Sequence, residues 1–208
     1  MTGYRVVNLS ALVEALGEDE AKHILSEFSC PLNKDVEFFL AQKAVSFAMQ
    51  GWAQTHLVIA SYKNEWVLVG YFALANKYIR ISAARLGKAG SGLRKRISKF
   101  ATYDPELKSY IMSAPLIAQL GKNYANGYNK LITGDELLAE ACDKIGRIQL
   151  DLGGKFAYLE CEDKPCLIDF YTRNGICDFD TRELDPDETD KLEGEYLVQM
   201  LKYIKKSK

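Results

Sequence analysis

The clearest chemical signal in the sequence is a helix that begins at Thr133. Thr133 and Glu136 fit a capping box, in which the threonine hydroxyl accepts from the N–H of Glu136 and the Glu136 carboxylate reaches back to the N–H of Thr133. The preceding segment, residues 126–130, is a polar loop. We therefore predict that the backbone N–H groups of residues 130–135 face an anion such as a diphosphate at the positive helix end. The alternative is a well-capped helix after an ordinary surface loop.

Charge is distributed unevenly in a chain whose formal net charge is −1. Residues 77–100 contain eight Lys or Arg and no Asp or Glu, whereas residues 183–195 contain seven acidic residues and one lysine. The two stretches could be solvated segments that attract one another. The other interpretation makes Arg94, Lys95 and Arg96 part of a basic helix that binds the phosphates of a nucleotide or a nucleic acid.

The cysteines and histidines indicate no metal site. The chain has two histidines and an odd number of cysteines without a CxxC pair, which is typical of reduced, intracellular thiols. The cysteines are Cys30, Cys142, Cys161, Cys166 and Cys177. The N-terminus lacks the pattern of a secretory signal, and polar residues interrupt the longest uncharged run, residues 44–62, so we expect a cytoplasmic protein without a membrane span.

The rest of the chain must position these groups, and its patterns predict a mixed α/β fold. A short strand, one or two helices over residues 8–28 and a further helix ending near Gly51 precede a hairpin that turns at Lys63 and Asn64. Strands alternate with helices in the second half, which indicates a mixed sheet. With 208 residues and 48% hydrophobic residues, the chain is expected to form one domain, residues 1–208, with a basic inserted helix and loop at 83–110.

The helix that follows Thr133 is predicted to be amphipathic. Its apolar stripe consists of Leu137, Leu138, Ala141, Ile145 and Ile148. Residues 153–154, a Gly-Gly pair, are expected to end it. The strand "IMSAPLIAQLG" runs into the loop before it, with its stronger strand character after Pro115.

The order of the later elements resembles the GCN5-related N-acetyltransferase (GNAT) superfamily. In that family a pyrophosphate-binding loop opens the helix after a central strand, and a later helix ends in a pattern like "FYxxxGF". Here "FYTRNGICDF" matches through Phe170, Tyr171 and Gly175, with Ile176 in place of the usual Phe. The run "VLVGYFAL" is similar to the family's hairpin strand. The resemblance covers residues 36–204 and implies a mostly antiparallel central sheet flanked by helices.

The phosphate loop departs from the family's pattern of Gln or Arg, two residues, Gly, one residue, Gly. When Gly134 is aligned with the second glycine, Asn129 falls at the Gln or Arg position and Ile132 at the first glycine. The backbone of Ile132 must therefore avoid any conformation that only glycine tolerates. The loop is also longer than usual, and Gly127 could supply a left-handed turn that lets it reach the helix start.

The resemblance implies acetyl-CoA as the acyl donor and transfer of the acetyl group to a primary amine, without a metal. The strand around residues 120–122 would hold the pantetheine arm, and the N–H groups of residues 130–135 would hold the pyrophosphate. The cofactor-binding residues implied are Leu120, Gly121, Lys122, Asn129, Lys130, Leu131, Ile132, Thr133, Gly134 and Asp135.

Two residues are the candidates for proton transfer. The family places a tyrosine near the CoA sulfur, so Tyr171 is the expected proton donor to the leaving thiolate, unless it is a tyrosine whose hydroxyl is bonded elsewhere. Glu160, or Glu162 on the same strand, could act as the base directly or through water. Such a carboxylate could instead be solvated or paired with a cation. Cys161 and Cys166 lack a nearby histidine and are better explained as structural residues than as nucleophiles.

The acceptor and the partners are left open by the sequence. Some toxins of the superfamily acetylate the amino acid on charged tRNA, and the basic helix with Arg94, Lys95 and Arg96 makes this the leading specific alternative. The same helix could bind the 3′-phosphate of CoA. A second alternative is a non-catalytic module that binds acyl-CoA or nucleic acid. Exposed strand edges are compatible with a homodimer.

Overall fold

The computed structural model describes residues 3–88, 90–186, 188–189, 192 and 194–205. Position 89 of the basic stretch lies outside the described residues, as do positions 187, 190, 191 and 193 of the acidic stretch. In the part of the chain that is described, eight strands form one mixed sheet in the order β1-β2-β3-β5-β6-β8-β7, with β4 paired to β5. The strands are β1 (Tyr4–Asn8), β2 (Gln54–Tyr62), β3 (Glu65–Ser82), β4 (Thr102–Asp104), β5 (Ser109–Lys122), β6 (Phe156–Glu162), β7 (Cys177–Glu183) and β8 (Tyr196–Tyr203).

The sheet is mostly antiparallel, which confirms the predicted fold class. Of the strand pairs whose register is described, only β5 and β6 run parallel, with Leu116 opposite Tyr158. The predicted hairpin is β2–β3, and Lys63 and Asn64 turn it with φ values of 52° and 67°. Strand β5 begins at Ser109, ahead of Pro115, because its first residues pair with β4. The predicted loop before it is therefore partly a second hairpin.

The helices lie where the patterns predicted them, but two predicted helices are divided. Residues 83–110, predicted as one helix and loop, contain two helices, at residues 83–88 and 91–100. The helix predicted to end near Gly51 is interrupted by a π-helical turn at Phe39–Lys43, between α3 and α4. The helices are α1 (Leu9–Leu16), α2 (Glu18–Ser26), α3 (Lys34–Phe38), α4 (Ala44–Met49), α5 (Ala83–Lys88), α6 (Ser91–Phe100), α7 (Gly134–Leu152) and α8 (Pro165–Arg173), and a 3₁₀ segment covers Ala125–Lys130.

The chain divides into two compact units, and β3, β5 and α7 each continue from one into the other. Unit 1 comprises Met1–Ala75 and Ile117–Asp143, and unit 2 comprises Asn76–Leu116 and Lys144–Lys208. The single-domain organisation stays a prediction. Each unit has its own core of buried apolar side chains.

The core of unit 1 fixes the end of β5. Tyr71 is fully buried, and its hydroxyl donates to the carbonyl of Val36 at 2.6 Å. A Cβ on Gly121 would lie 2.3 Å from Cγ1 of Val36, so only glycine fits at this position. One on Gly70 would lie 2.9 Å from the carbonyl oxygen of Gly121. Close backbone packing therefore holds this part of β5 in one position.

The core of unit 2 anchors the basic helix α6. Ile97 is fully buried, while most of the helix is exposed. The guanidinium of Arg96 lies over the ring of Tyr203, 4.5 Å from its centroid. Leu93 packs against the same core, and the ring of Phe100 contacts those of Phe156 and Tyr203. The helix is thus attached by its apolar side chains and one stacked arginine, and its other basic side chains are exposed.

Candidate active site

The capping box at the start of α7 is present as predicted. The N–H of Glu136 donates to Oγ1 of Thr133 at 3.1 Å, and Oε2 of Glu136 accepts from the N–H of Thr133 at 2.8 Å. The Thr133 hydroxyl also donates to that carboxylate oxygen at 2.7 Å. The predicted apolar stripe is buried except at Ile148, which is partly exposed, and the helix ends at a Gly-Gly pair with φ values of 87° and 93°.

The loop before α7 follows a path that its sequence permits. Asn126 and Gly127 adopt left-handed conformations, with φ values of 53° and 74°, which confirms the turn expected at Gly127. Neither Ile132 nor Gly134 has a positive φ, so isoleucine is accommodated where the family pattern has glycine. The side chain of Ile132 is 2% exposed and anchors the loop in the core.

Three carbonyl groups of this loop are bound by side chains of unit 1. The ammonium of Lys122 donates to the carbonyls of Asn129 at 2.8 Å and Ile132 at 3.2 Å. The hydroxyl of Tyr4 donates to the carbonyl of Leu131 at 3.0 Å. In a trans peptide the C=O and the following N–H point in opposite directions. The N–H groups of residues 130, 132 and 133 therefore point away from these two donors.

Part of the predicted row of amides is used within the protein. The N–H of Thr133 is bound by Glu136, and that of Leu131 donates to the carbonyl of Tyr128 at 2.9 Å. Among the described residues, no protein group accepts from the N–H of Ile132 or Gly134. The geometry thus offers these two amides, at the positive end of α7, to an anionic group.

Glu136 is itself an anion at this helix start. The hydrogen bond from the backbone of Thr133, with that from its hydroxyl, holds the pKa of the Glu136 carboxyl below its usual range. Glu136 is therefore ionised at neutral pH. Its charge stabilises the helix and opposes a second anion at the neighbouring amides.

The end of β5 is joined rigidly to the loop through Asn123, which is fully buried. Its amide donates to the carbonyl of Leu68 at 2.9 Å, and its oxygen accepts from the N–H groups of Ser29 and Ala125, both at 3.0 Å. Its own N–H donates to the carbonyl of Val69 at 2.9 Å. Next to Asn123, the side chain of Lys122 binds the carbonyls of Asn129 and Ile132. The sequence predicted these three residues for the site but did not predict this side-chain contact.

Tyr171 lies in the last turn of α8 in unit 2. Its carbonyl accepts from the N–H groups of Asn174 and Ile176, each at 3.1 Å, which fixes the helix end. Its ring packs edge-on against Phe170, with centroids 4.9 Å apart. Among the described residues no group is hydrogen-bonded to its hydroxyl, and burial raises its pKa. The phenol is therefore protonated at neutral pH and available to donate.

Glu160 lies on β6 in the same unit and is held in an ion pair. Its Oε2 accepts from Nη2 of Arg182 at 2.8 Å, and Oε1 accepts from the hydroxyl of Tyr158 and from Gln199 at 3.3 Å. Burial acts to raise the pKa of Glu160, but these hydrogen bonds outweigh it and lower the pKa. The paired alternative considered for this carboxylate is thus the arrangement observed, and no hydrogen bond links Glu160 to Tyr171 among the described residues. Sequence reasoning did not identify Arg182.

Cys161, a further candidate residue, lies on β6. Burial raises the pKa of the Cys161 thiol to about 12, which supports a structural role for this cysteine. Within the described ranges, no cluster of three or more His, Cys, Asp or Glu could hold a metal ion. None of the helices in those ranges is long and apolar enough to cross a membrane.

The basic and acidic stretches interact only in part. Lys77 adds to the lowering of the pKa of Glu188 that Arg182 chiefly causes. Arg85 of the basic stretch instead forms an ion pair at 3.2 Å with Asp180, which lies outside the acidic stretch. Arg94 and Lys95 are exposed on α6, and no acidic side chain pairs with them among the described residues. These two cations are therefore open to a partner.

Comparison with known structures shows the fold. The toxin AtaT complexed with acetyl-methionyl-tRNAfMet matches with a TM-score of 0.60 at 14% identity, over 94% of this chain and 93% of that one. A tyrosine-to-phenylalanine mutant of KacT matches with 0.60 at 12% identity, over 95% and 94%. AtaTR bound with acetyl-CoA matches with 0.54 at 13% identity, over 95% and 93%. No protein-family model and no curated protein matches the sequence. The chain therefore shares its fold with these structures.

Proposed function

We propose that this protein transfers an acetyl group from acetyl-CoA directly to a primary amine. The observation that carries the proposal is the pair of available amides, at Ile132 and Gly134, at the start of α7. The same fold occurs in AtaTR bound with acetyl-CoA. A helix start with available N–H groups is a general binding site for phosphate groups.

The residues of unit 1 fit the diphosphate of the donor. The amides of Ile132 and Gly134 would bind it, and the carbonyl groups that would repel it are turned towards Lys122 and Tyr4. The ammonium of Lys122 adds a positive charge behind the loop. The backbone of residues 120–122 is proposed to hold the pantetheine arm by adding it as a strand to the sheet.

The chemistry requires two proton transfers. Acetyl-CoA supplies the acetyl group as a thioester; the C–N bond forms and the C–S bond breaks. Tyr171 is proposed to give its phenolic proton to the departing thiolate. Glu160 is proposed to take the proton from the amine through water. Its lowered pKa keeps it ionised, as a base must be, but makes it a weak base, so we assign it the smaller effect.

A second candidate function specifies the acceptor as the amino group of an aminoacyl-tRNA. The exposed cations Arg94 and Lys95 on α6 favour it, because basic side chains that face solvent bind nucleic-acid phosphates. One of the structures with the same fold is AtaT complexed with acetyl-methionyl-tRNAfMet. We therefore propose that α6 is the part of the chain that binds the tRNA.

Turnover measurements with Tyr171→Phe test the proposal. Release of CoA from acetyl-CoA is followed chromatographically, because Cys166 and Cys177 are exposed thiols that react with colorimetric reagents. Methionyl-tRNA and a panel of small primary amines serve as acceptors. We expect kcat to fall about 10²-fold or more, with unchanged affinity for acetyl-CoA. The matched control Tyr103→Phe removes the hydroxyl of an exposed tyrosine and should retain full activity.

The pH profile gives a second readout. Because burial raises the pKa of Tyr171, the wild-type rate should decline only above about pH 10, the ordinary tyrosine value, and the decline should vanish in Tyr171→Phe. Wild-type turnover by Tyr171→Phe at all pH values would refute the assignment of the acid. Binding of acetyl-CoA without CoA release for any acceptor would favour the non-catalytic module.

A further inference from the structure

An aromatic and basic cluster lies beside the loop that precedes α7, and the function proposed above does not use it. It consists of Tyr62 and Lys63 at the tip of the β2–β3 hairpin and Tyr128 in the 3₁₀ segment. The rings of the two tyrosines meet edge to face, with centroids 6.2 Å apart, and the ammonium of Lys63 lies 5.2 Å from the centroid of Tyr62. Tyr62 is 37% exposed, and Lys63 is exposed.

Two left-handed turns place these residues together. Lys63 and Asn64 both have positive φ, as a tight two-residue hairpin turn requires, and this puts Lys63 at the very tip. Asn126 and Gly127 turn the loop in the same way, two residues before Tyr128. Both turns require unusual backbone conformations, and one of them lies in the additional residues of the long loop.

We propose that the cluster of Tyr62, Lys63 and Tyr128 binds the 3′-phosphoadenosine end of CoA. The inference rests on the proposed function and adds a subsite to it. Aromatic faces stack on purine rings, and an ammonium group binds a phosphate. Tyr128 lies in the same loop as the two available amides, four residues before Ile132, and in CoA the diphosphate is joined directly to the 3′-phosphoadenosine. One continuous loop would thus bind both parts.

Glu65 lies next to the cluster and carries the opposite charge to Lys63. It pairs with Tyr62 across the hairpin, so its side chain lies on the same face of the sheet and brings a negative charge near the proposed phosphate position. Lys63 favours the 3′-phosphate and Glu65 opposes it. Opposite substitutions should therefore have opposite effects on one ligand.

Calorimetric titration with two ligands tests the proposal. Acetyl-CoA and acetyl-dephospho-CoA differ only in the 3′-phosphate. Wild-type protein should bind acetyl-CoA about tenfold more tightly, the usual value of one charge-assisted hydrogen bond. Lys63→Met should abolish this preference by weakening acetyl-CoA alone, and Glu65→Gln should increase it. Lys34→Met removes an exposed lysine of α3 and should keep the wild-type preference. Tyr128→Leu should weaken both ligands.

The outcomes separate this inference from the proposed function. A preference that survives in Lys63→Met, or that is lost instead in Arg94→Glu with Lys95→Glu, would overturn the cluster as the subsite and leave the acetyltransferase proposal intact. No binding of acetyl-CoA by the wild-type protein would overturn both. Retained affinity for both ligands in Tyr128→Leu would show that the rings serve only the hairpin.

Discussion

Helices α6 and α7 are both proposed to bind phosphate groups, but they differ in how they would do it. Helix α7 begins with a side-chain cap, acidic residues in its first turn and two available amides. Helix α6 has Gly90 at its N-cap position, no side-chain cap and no acidic residue in its first turn, and it carries exposed arginines and lysines. The first would bind through its main chain and the second through its side chains.

Side-chain charges can be recognised in a sequence, whereas available backbone amides cannot. The basic helix is evident from composition, because its charge lies in the side chains. The amides at the start of α7 belong to the backbone, and their availability depends on contacts made by Lys122, Tyr4 and Glu136. Binding through exposed charges also depends steeply on salt, whereas a few fixed amides give a weaker dependence.

Charge reversal on α6 should give the largest effect. Arg94→Glu with Lys95→Glu should reduce affinity for methionyl-tRNA about 10³-fold at low salt, because two attractive contacts become repulsive. Acetyl-CoA affinity should be unchanged. Arg96 is left in place because it packs on Tyr203. Filter binding at several salt concentrations measures the effect, and tRNA affinity equal to wild type would remove the second candidate function.

Substitution of the lysine behind the loop should have an intermediate effect. Lys122→Met leaves the carbonyls of Asn129 and Ile132 without their donor, so we expect the free energy of unfolding to fall by about 2 kcal/mol. Acetyl-CoA should bind at least tenfold more weakly, since the amides are no longer held outward. Tyr4→Phe loses the hydrogen bond to the carbonyl of Leu131 and the interaction of the hydroxyl with the Glu136 carboxylate, and it should show about half the loss of stability. Unchanged acetyl-CoA affinity in Lys122→Met would contradict the role given to the loop.

Neutralising Glu136 should give the smallest effect, and it should raise acetyl-CoA affinity instead of lowering it. Glu136→Gln keeps an acceptor for the N–H of Thr133 but removes the negative charge, so acetyl-CoA should bind about two- to fivefold more tightly. The control Glu14→Gln, on the exposed part of α1, should have no effect. Calorimetry distinguishes the two, and weaker binding in Glu136→Gln would mean that its charge does not oppose the ligand.

The sequence predicted the local features of the site better than its tertiary contacts. The capping box, the buried stripe of α7 and the left-handed turn at Gly127 follow from residue types and short spacings, and all are present. The ion pair between Glu160 and Arg182 joins residues 22 positions apart on different strands, and no local pattern indicates it.

The same limit applies to Lys122 and Tyr4. Lys122 was predicted for its backbone, and its side-chain bonds depend on where a loop seven to ten residues later passes. Tyr4 lies 127 positions from its partner, Leu131. Strand alternation places a side chain on one face of a sheet, but it does not say which loop covers that face.

The proposed diphosphate site at the start of α7 is tested by removing one backbone N–H and no side-chain charge. Gly134→Pro deletes the amide of Gly134 at the first position of α7, where proline is tolerated, and Ser91→Pro makes the same change at the first position of α6. We predict that Gly134→Pro binds acetyl-CoA about tenfold or more weakly while its melting temperature stays near that of wild type, and that Ser91→Pro binds acetyl-CoA normally. Wild-type acetyl-CoA affinity in a folded Gly134→Pro would contradict the account.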